Sequence, residues 1–268
     1  MKIHIIAALL FCAGLNSPGQ TKITPLTQAH AHNDYEHRRP LADALDQGIC
    51  SVEADVWLVN GNLLVAHDLK DARTERTLQR LYLDPLQQRV RENNGRVFPG
   101  GPGMLLLIDV KSDATNTYAA IKAALEPYRS ILTIFRSAST ATNAVSVVIS
   151  GNRAREWMMA EPERLAAYDG RLADLPSNPS PHFMPLVSDN WVQHFRWKGI
   201  GKMEPDDMTK LNSIVQRVHE RGQSIRFWGM PDSPAVWKAL RDANVDLINT
   251  DDLSGLARFL RASEGKVN

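Results

Sequence analysis

Short apolar runs alternate with amphipathic stretches along most of the 268 residues. Several runs are apolar at consecutive positions, as in Met104-Leu105-Leu106-Leu107-Ile108 and Val147-Val148-Ile149. That pattern fits parallel strands covered by helices on both faces better than half-exposed strands. Strands are predicted over 23–29, 49–57, 104–110, 145–150, 184–188, 224–228 and 245–250, with a weaker one near 171–175. Helical periodicity is predicted over 41–47, 77–91, 115–125, 154–167, 205–221, 234–242 and 253–261. Gly48 and Gly222 follow two of these segments, where a left-handed C-cap residue is expected. About eight strand–helix alternations in about 250 residues predict one α/β domain, a (β/α)8 TIM-type barrel with room for irregularity. A doubly wound open sheet is the structural competitor. No composition shift marks an internal boundary.

The first nineteen residues depart from this rhythm. Lys2 is their only charge, 3–15 is largely apolar, and Asn16-Ser17-Pro18-Gly19-Gln20 is polar and turn-forming. This is the layout of a secretory signal, and its apolar part is shorter than the roughly 20 residues of a membrane span. The expectation is therefore a signal peptide at 1–19, a barrel at 20–268, and a periplasmic or secreted product. Phe11 before Cys12 is bulky where lipid-attachment signals resemble a small residue, which argues against a lipoprotein. Cleavage would leave Cys50 alone, so an internal disulfide is excluded and stability must rest on the core.

Charge adds an exclusion. Lys+Arg total 31 against 30 Asp+Glu, a net charge of +1, with no long run of either sign. Arginines between 73 and 96 are interleaved with Glu75, Asp84 and Glu92. Nothing here resembles the basic stripe that holds nucleic acid, and no obligate protein partner is evident.

A barrel places chemistry at the C-terminal ends of its strands. There the sequence reads Ala29-His30-Ala31-His32-Asn33-Asp34-Tyr35, Val52-Glu53-Ala54-Asp55-Val56-Trp57, Ile108-Asp109-Val110-Lys111 and Asn249-Thr250-Asp251-Asp252. A turn at Asn60-Gly61-Asn62 leads into an apolar return that delivers His67-Asp68. Residues two apart on a strand point to one side, so Glu53 projects with Asp55, and Asp109 with Lys111. Converging carboxylates repel one another unless a cation sits among them. Oxygen-rich ligand sets suit the hard ions Ca²⁺ and Mg²⁺, with the amide oxygen of Asn33 as a further ligand. Ion pairs of Glu53 and Asp55 with Lys111 or nearby arginines are the alternative. His32 and His67 flank the acidic group, and two imidazoles can take and give protons on opposite sides of a reacting phosphate.

These residues resemble a known group. His32-Asn33-Asp34-Tyr35 is similar to the His-Asn-x-Tyr element of phosphoinositide-specific phospholipase C catalytic domains, and Glu53-Ala54-Asp55 to their Glu-x-Asp strand. The framework His…Glu-x-Asp…His-Asp also resembles glycerophosphodiester phosphodiesterases, as does the ending 245–251. Within this PLC-like phosphodiesterase superfamily the closest resemblance is to the altered-inheritance-of-mitochondria branch. It rests on His30-x-His32-Asn33-Asp34-Tyr35, Pro40 to Leu45, and Ser51 to Trp57. The resemblance implies His32 as general base and His67 as general acid, roles that sequence leaves interchangeable. It implies Asn33, Glu53, Asp55 and Asp109 as metal ligands and Lys111 facing the phosphate. Two departures stand out. The His-Arg-Gly and Pro-Glu-Asn-Thr motifs of glycerophosphodiesterases are absent, and Asp109 stands where a Glu is common.

Other features have more than one reading. His30-Ala31-His32 also matches the opening of amidohydrolase-type barrels, which bind transition metals through imidazoles and would need further ligands such as His182 or His194. Arg38, in His37-Arg38-Arg39, would grip a phosphate or lie on a solvated helix flank. Trp191, Phe195 and Trp197, interleaved with His194, Arg196 and Lys198, would stack on a sugar ring, rest at a lipid surface, or pack in the core. Arg226 and Trp228 alternate towards one face and are candidates for lining the site beside substrate, with pure packing the other reading for Trp228. The expected function is a metal-dependent phosphoric diester hydrolase, acting on small-molecule or lipid-derived phosphodiesters with transient membrane-surface contact. An amidohydrolase-like transition-metal enzyme and a non-catalytic exported binding protein are the alternatives.

Overall fold

The structure is a computed structural model that describes residues 23–264; the signal predicted at 1–19 lies outside the described residues. Eight strands form the barrel: β1 (Leu26–Ala31), β2 (Ile49–Val59), β3 (Met104–Val110), β4 (Val145–Gly151), β5 (Ala166–Gly170), β6 (Leu186–Asn190), β7 (Ser224–Trp228) and β8 (Leu247–Thr250). Every neighbouring pair is parallel, and β1 pairs with both β2 and β8, which closes the ring. The predicted barrel is thus the fold, and the open sheet is not. Helices Ala114–Leu125, Pro205–His219, Pro234–Asp242 and Leu253–Glu264 cover its outside. Among the described residues no helix is long and apolar enough to cross a membrane.

Register explains how one strand set makes both core and site. Residues paired across parallel strands share a face. Leu107, Val148, Ala167, Leu186 and Leu247 form an apolar cluster distinct from the larger core beneath the helices. Two residues further along the same strands, the side chains turn polar: Asp55, Asp109 and Ser150 stand in one row, and Ser188 beside Arg226. The apolar plug closes the barrel, and the polar layer opens at the C-terminal end.

One excursion matters for the site. Asn60 (φ 49°) and Gly61 (φ 80°) make the tight turn that only residues tolerant of left-handed backbone supply. It folds the strand Asn62–Val65 antiparallel onto the end of β2. The amide of Ala66 then donates to the carbonyl of Asp55 at 3.2 Å, which brings His67 back over the barrel mouth.

Three local expectations are corrected. The helix predicted over 154–167 stops at Ala160, and the weak strand near 171–175 is β5 instead, with a 3-10 turn at Leu172–Ser177 behind it. Ala166 and Ala167 favour helix intrinsically, but pairing with β4 and β6 decides their state. The helix predicted over 77–91 begins with a π turn, Gln79–Leu83, before Asp84–Glu92. Pro85 has no amide hydrogen to give the preceding turn, which widens there. A small antiparallel sheet of Ile134–Arg136, Thr140–Ala141 and Glu163–Arg164 had no legible sequence signal. Gly48 and Gly222 are left-handed, as expected of C-caps.

Candidate active site

At the C-terminal mouth lies a cleft of about 520 Å³. His32, Asn33, Glu53, His67, Asp109, Lys111, Arg226 and Trp228 line it. Asp55 is fully buried just beneath. Arg38 is exposed and does not line the cleft, because the 3-10 turn Asp34–Glu36 carries the chain away from the mouth.

Each histidine is held by a carboxylate. His32 Nδ1 lies 2.9 Å from Asp251 Oδ1, at the end of β8. His67 Nδ1 lies 3.1 Å from Asp55 Oδ2. A carboxylate accepts, so both rings carry their proton on Nδ1 when neutral, which leaves Nε2 free to accept another. Burial works against a cation on His32. The Asp251 hydrogen bond and the charge of Glu53 outweigh it and hold the pKa of His32 above the ordinary value.

The acidic group is tightly framed. One ligand oxygen from each of Glu53, Asp55 and Asp109 falls within 4.8 Å of the others. Glu53 receives Arg226 Nη2 and His30 Nε2 (3.2 Å), both on Oε2. Burial would raise the pKa of Glu53, but the Arg226 cation and His30 pull it far below the carboxylate range. Asp55 Oδ2 gathers Lys111 Nζ at 2.9 Å and the Tyr35 hydroxyl at 2.8 Å, while its Oδ1 is buried with no partner. Burial, reinforced by Glu53, raises the pKa of Asp55. Burial pushes Asp109 up to about 6 despite Lys111 at 3.4 Å.

Three carboxylates therefore face two fixed cations, Lys111 and Arg226. Of the sequence alternatives, the ion pairs are formed, on Glu53 Oε2, Asp55 Oδ2 and, at 3.4 Å, Asp109 Oδ1. The same three carboxylates keep the close grouping that a metal would need. Buried carboxylate oxygens without partners are rare, and the Asp55 Oδ1 left over fits a hard divalent ion. Gly151 makes this packing feasible. Its φ is +66°, and a Cβ there would lie 2.0 Å from Asp109 Oδ1.

Other residues of the site went unread in the sequence or were read otherwise. The Tyr35 hydroxyl lies 3.0 Å from Asn33 Oδ1 and 3.4 Å from His67 Nδ1 as well as beside Asp55, so it ties three site residues together. Its place in the His-Asn-x-Tyr element was the available signal. Ser150, Asn152 and Arg171 line the far side of the cleft, and no spacing pointed to them. Arg226 is 3% exposed and bonded to Glu53 and to Asn249 Oδ1 at 2.6 Å, so it orders the acidic group more than it meets substrate.

The imidazole-metal alternative fails. His30 is fully buried, with Nδ1 on Ser51 Oγ at 2.6 Å and Nε2 on Glu53. Burial and Arg226 lower its pKa to about 4, so it is a neutral bridge with both nitrogens engaged. His182 bonds Thr140 of the small sheet, and His194 sits beside Asp189. The aromatic stretch after β6 divides: Trp191 and Phe195 are buried against Phe227, which is core packing, while Trp197 is half-buried.

Closed parallel barrel, paired histidines and an acidic cluster at the mouth describe a protein of the PLC-like phosphodiesterase superfamily, the class whose motifs the sequence resembles. Comparison with known proteins narrows this. The model of the AIM6-like phosphodiesterase domain matches residues 20–169, and that of the glycerophosphoryl diester phosphodiesterase family matches 224–254. The altered inheritance of mitochondria protein 6 of Eremothecium gossypii is 30% identical over 286 residues, covering 90% of this chain and 73% of that protein. Its homolog from Arthroderma benhamiae is 28% identical over 255 residues, covering 84% and 81%. The chain belongs to the AIM6-like phosphodiesterase domain family. The solved glycerophosphodiester phosphodiesterase of Parabacteroides distasonis shares the fold, with a TM-score of 0.55 at 14% identity over 88% of this chain and 98% of that one. The glycerophosphodiester phosphodiesterase from Agrobacterium tumefaciens aligns with a TM-score of 0.50 at 16% identity, over 88% of this chain and 100% of that one.

Proposed function

We propose that this chain is a divalent-metal-dependent phosphoric diester hydrolase that works by proton exchange between His32 and His67. Its substrates would be glycerophosphodiesters, phosphoinositides or related lipid head-group phosphodiesters. One observation carries the reading: each histidine is anchored through Nδ1 on its own carboxylate, and both line the cleft that Glu53, Asp109 and Lys111 also line. Family membership supports the same class.

Asn33, Glu53, Asp55 and Asp109 would hold the ion, Ca²⁺ or Mg²⁺. When bound, such an ion stabilises charge on phosphoryl oxygens and makes a coordinated hydroxyl more acidic. The chain does the rest. Lys111 offers its ammonium to the phosphate from the cleft wall. His32 Nε2 takes the proton of the attacking hydroxyl, and Asp251 steadies the imidazolium so formed. His67, entering the step with a second proton on Nε2, gives that proton to the leaving alkoxide and returns to the neutral ring, with Asp55 and Tyr35 fixing its orientation. If the attacking hydroxyl belongs to the substrate, the first product is a cyclic phosphodiester; if it is water, hydrolysis is direct. Ser150, Asn152 and Arg171 would contact the alcohol portion on the far wall.

The test is hydrolysis of bis(p-nitrophenyl) phosphate, glycerophosphocholine and phosphatidylinositol by wild type, His32→Ala and His67→Ala, with chelator and after return of Ca²⁺ or Mg²⁺. Loss of turnover of about 10²-fold or more is expected in either variant and in chelator. Full activity in chelator would remove the metal from the reading. Full activity in both variants would remove the acid–base pair, and no turnover of any diester would leave a binding protein.

A further inference from the structure

The loop after β6 carries a feature that the chemistry leaves unused. It reads Trp197-Lys198-Gly199-Ile200-Gly201-Lys202. Gly199 and Gly201 both have left-handed backbone, φ 76° and 67°, so the chain doubles back around Ile200. Ile200 stands at the tip, 85% exposed, and Val192 at the foot of the same loop is also exposed. Arg196, Lys198 and Lys202 are exposed around it, and none forms an ion pair among the described residues.

The prong is braced from below. Trp191, fully buried, donates its Nε1 hydrogen to the Trp197 carbonyl at 2.9 Å, and Trp197 donates its own to the Ile200 carbonyl at 3.1 Å. Lys210 reaches up to the His194 carbonyl at 2.7 Å. Gly199 packs so closely on the helix Pro234–Asp242 that a Cβ would lie 2.7 Å from Val236 Cγ2. The support is part of the core, but the exposed Ile200 side chain adds nothing to the stability of the isolated chain, since an apolar group left in water gains nothing.

Position gives it a use. The loop leaves β6 at the end where the catalytic cleft opens. Across the ring, four strands away, the hairpin of β2 delivers His67 and, two residues on, Leu69, also exposed. We propose that the 192–202 loop is a docking prong for an anionic lipid bilayer, which seats the cleft over phosphodiesters at the membrane surface. Charge selects this occupant. Arg196, Lys198 and Lys202 flank the apolar tip along the loop, ahead of Glu204, Asp206 and Asp207 at the start of the next helix. Cations beside an apolar tip match acyl chains beneath anionic head groups. The proposal rests on the phosphodiesterase reading for the purpose of docking, not for docking itself.

The experiment is co-sedimentation with phosphatidylcholine vesicles, with and without phosphatidylglycerol, alongside hydrolysis of soluble bis(p-nitrophenyl) phosphate. Wild type is expected to bind the anionic vesicles, more weakly as salt rises, and to bind pure phosphatidylcholine poorly. Ile200→Asp should reduce binding roughly tenfold or more, the scale of losing one buried aliphatic side chain. Lys198→Glu/Lys202→Glu should do likewise, since each juxtamembrane cation adds roughly fivefold. Both variants should keep the wild-type melting temperature and soluble turnover, and His32→Ala should dock like wild type. Docking by a protein that hydrolyses no diester would sink the catalytic reading alone. Absence of wild-type binding to anionic vesicles, or undiminished binding by Ile200→Asp, would overturn the docking proposal. So would a concentration-dependent dimer that Ile200→Asp dissolves without any vesicle binding.

Discussion

Replacing Arg226 with Met removes one half of a buried charge pair and keeps most of the side-chain volume. Arg226 and Glu53 are both nearly inaccessible, and Arg226 also supports Asn249. The variant leaves Glu53 charged in the barrel lumen with a neutral histidine as its remaining partner. Stranding one member of a buried pair costs about 3–5 kcal/mol. For a domain of this size that lowers the melting temperature by roughly 6–20 °C. Glu53→Gln/Arg226→Met strands no charge, so it should stand about 2 kcal/mol or more above the Arg226→Met single variant. A bound divalent ion would replace the lost positive charge. Added Ca²⁺ or Mg²⁺ is therefore expected to narrow the gap for Arg226→Met and to do less for the double variant. The assay is urea and thermal unfolding of wild type, both single variants and the double, in chelator and in each ion. If Arg226→Met stays within about 1 kcal/mol of wild type in chelator, the pair does not carry the weight assigned to it. If the double variant is no more stable than the sum of its singles, the coupling is absent.

Three further outcomes are expected. Asp251→Asn should lower kcat/KM by about 10²-fold or more and move the His32 limb of the pH–rate profile to lower pH, since Asp251 favours the imidazolium; an unmoved profile would separate Asp251 from His32. Burial raises the pKa of Asp34 to about 6 from 3.8, so the folded state holds that proton more tightly than the unfolded chain. Its stabilisation is present below pH 3.8 and lost as pH rises through about 6, a change of about 3 kcal/mol. Asp34→Asn should remove that pH dependence, and parallel stability curves for the two proteins would contradict it. Gly151→Ala forces a left-handed alanine, about 1–2 kcal/mol of strain, and drives Cβ into Asp109, so calorimetric titration should show weaker Ca²⁺ or Mg²⁺ binding. Unchanged affinity would mean that Asp109 is not a ligand.

The fold was largely legible along the chain because parallel barrel strands are apolar on both faces and separated by helical periods. Met104–Val110 and Ser224–Trp228 have the bounds that pattern predicts. It failed where burial was achieved with alanines. Ala166-Ala167 reads as helix in isolation, and only the neighbours β4 and β6 make it strand. The outline of the site was also local: Glu53 and Asp55, and Asp109 and Lys111, stand two positions apart, the spacing that puts side chains on one face of a strand. What sequence determined, then, was the identity of the groups reaching the mouth, because strand periodicity acts over a few residues.

Tertiary structure decided how those groups divide their charge. Arg226 and Glu53 are 173 positions apart, and Asp251 and His32 are 219 apart. Nothing local marks Arg226 as a partner for Glu53 rather than for substrate, or His30 as a buried bridge rather than a ligand. Closing the ring brings β8 against β1 and lets Arg226 on β7 reach Glu53 on β2 through the lumen. A carboxylate's state follows from the cations within a few ångströms and from the water it has lost. Both are properties of the closed barrel, and no stretch of the chain carries them alone.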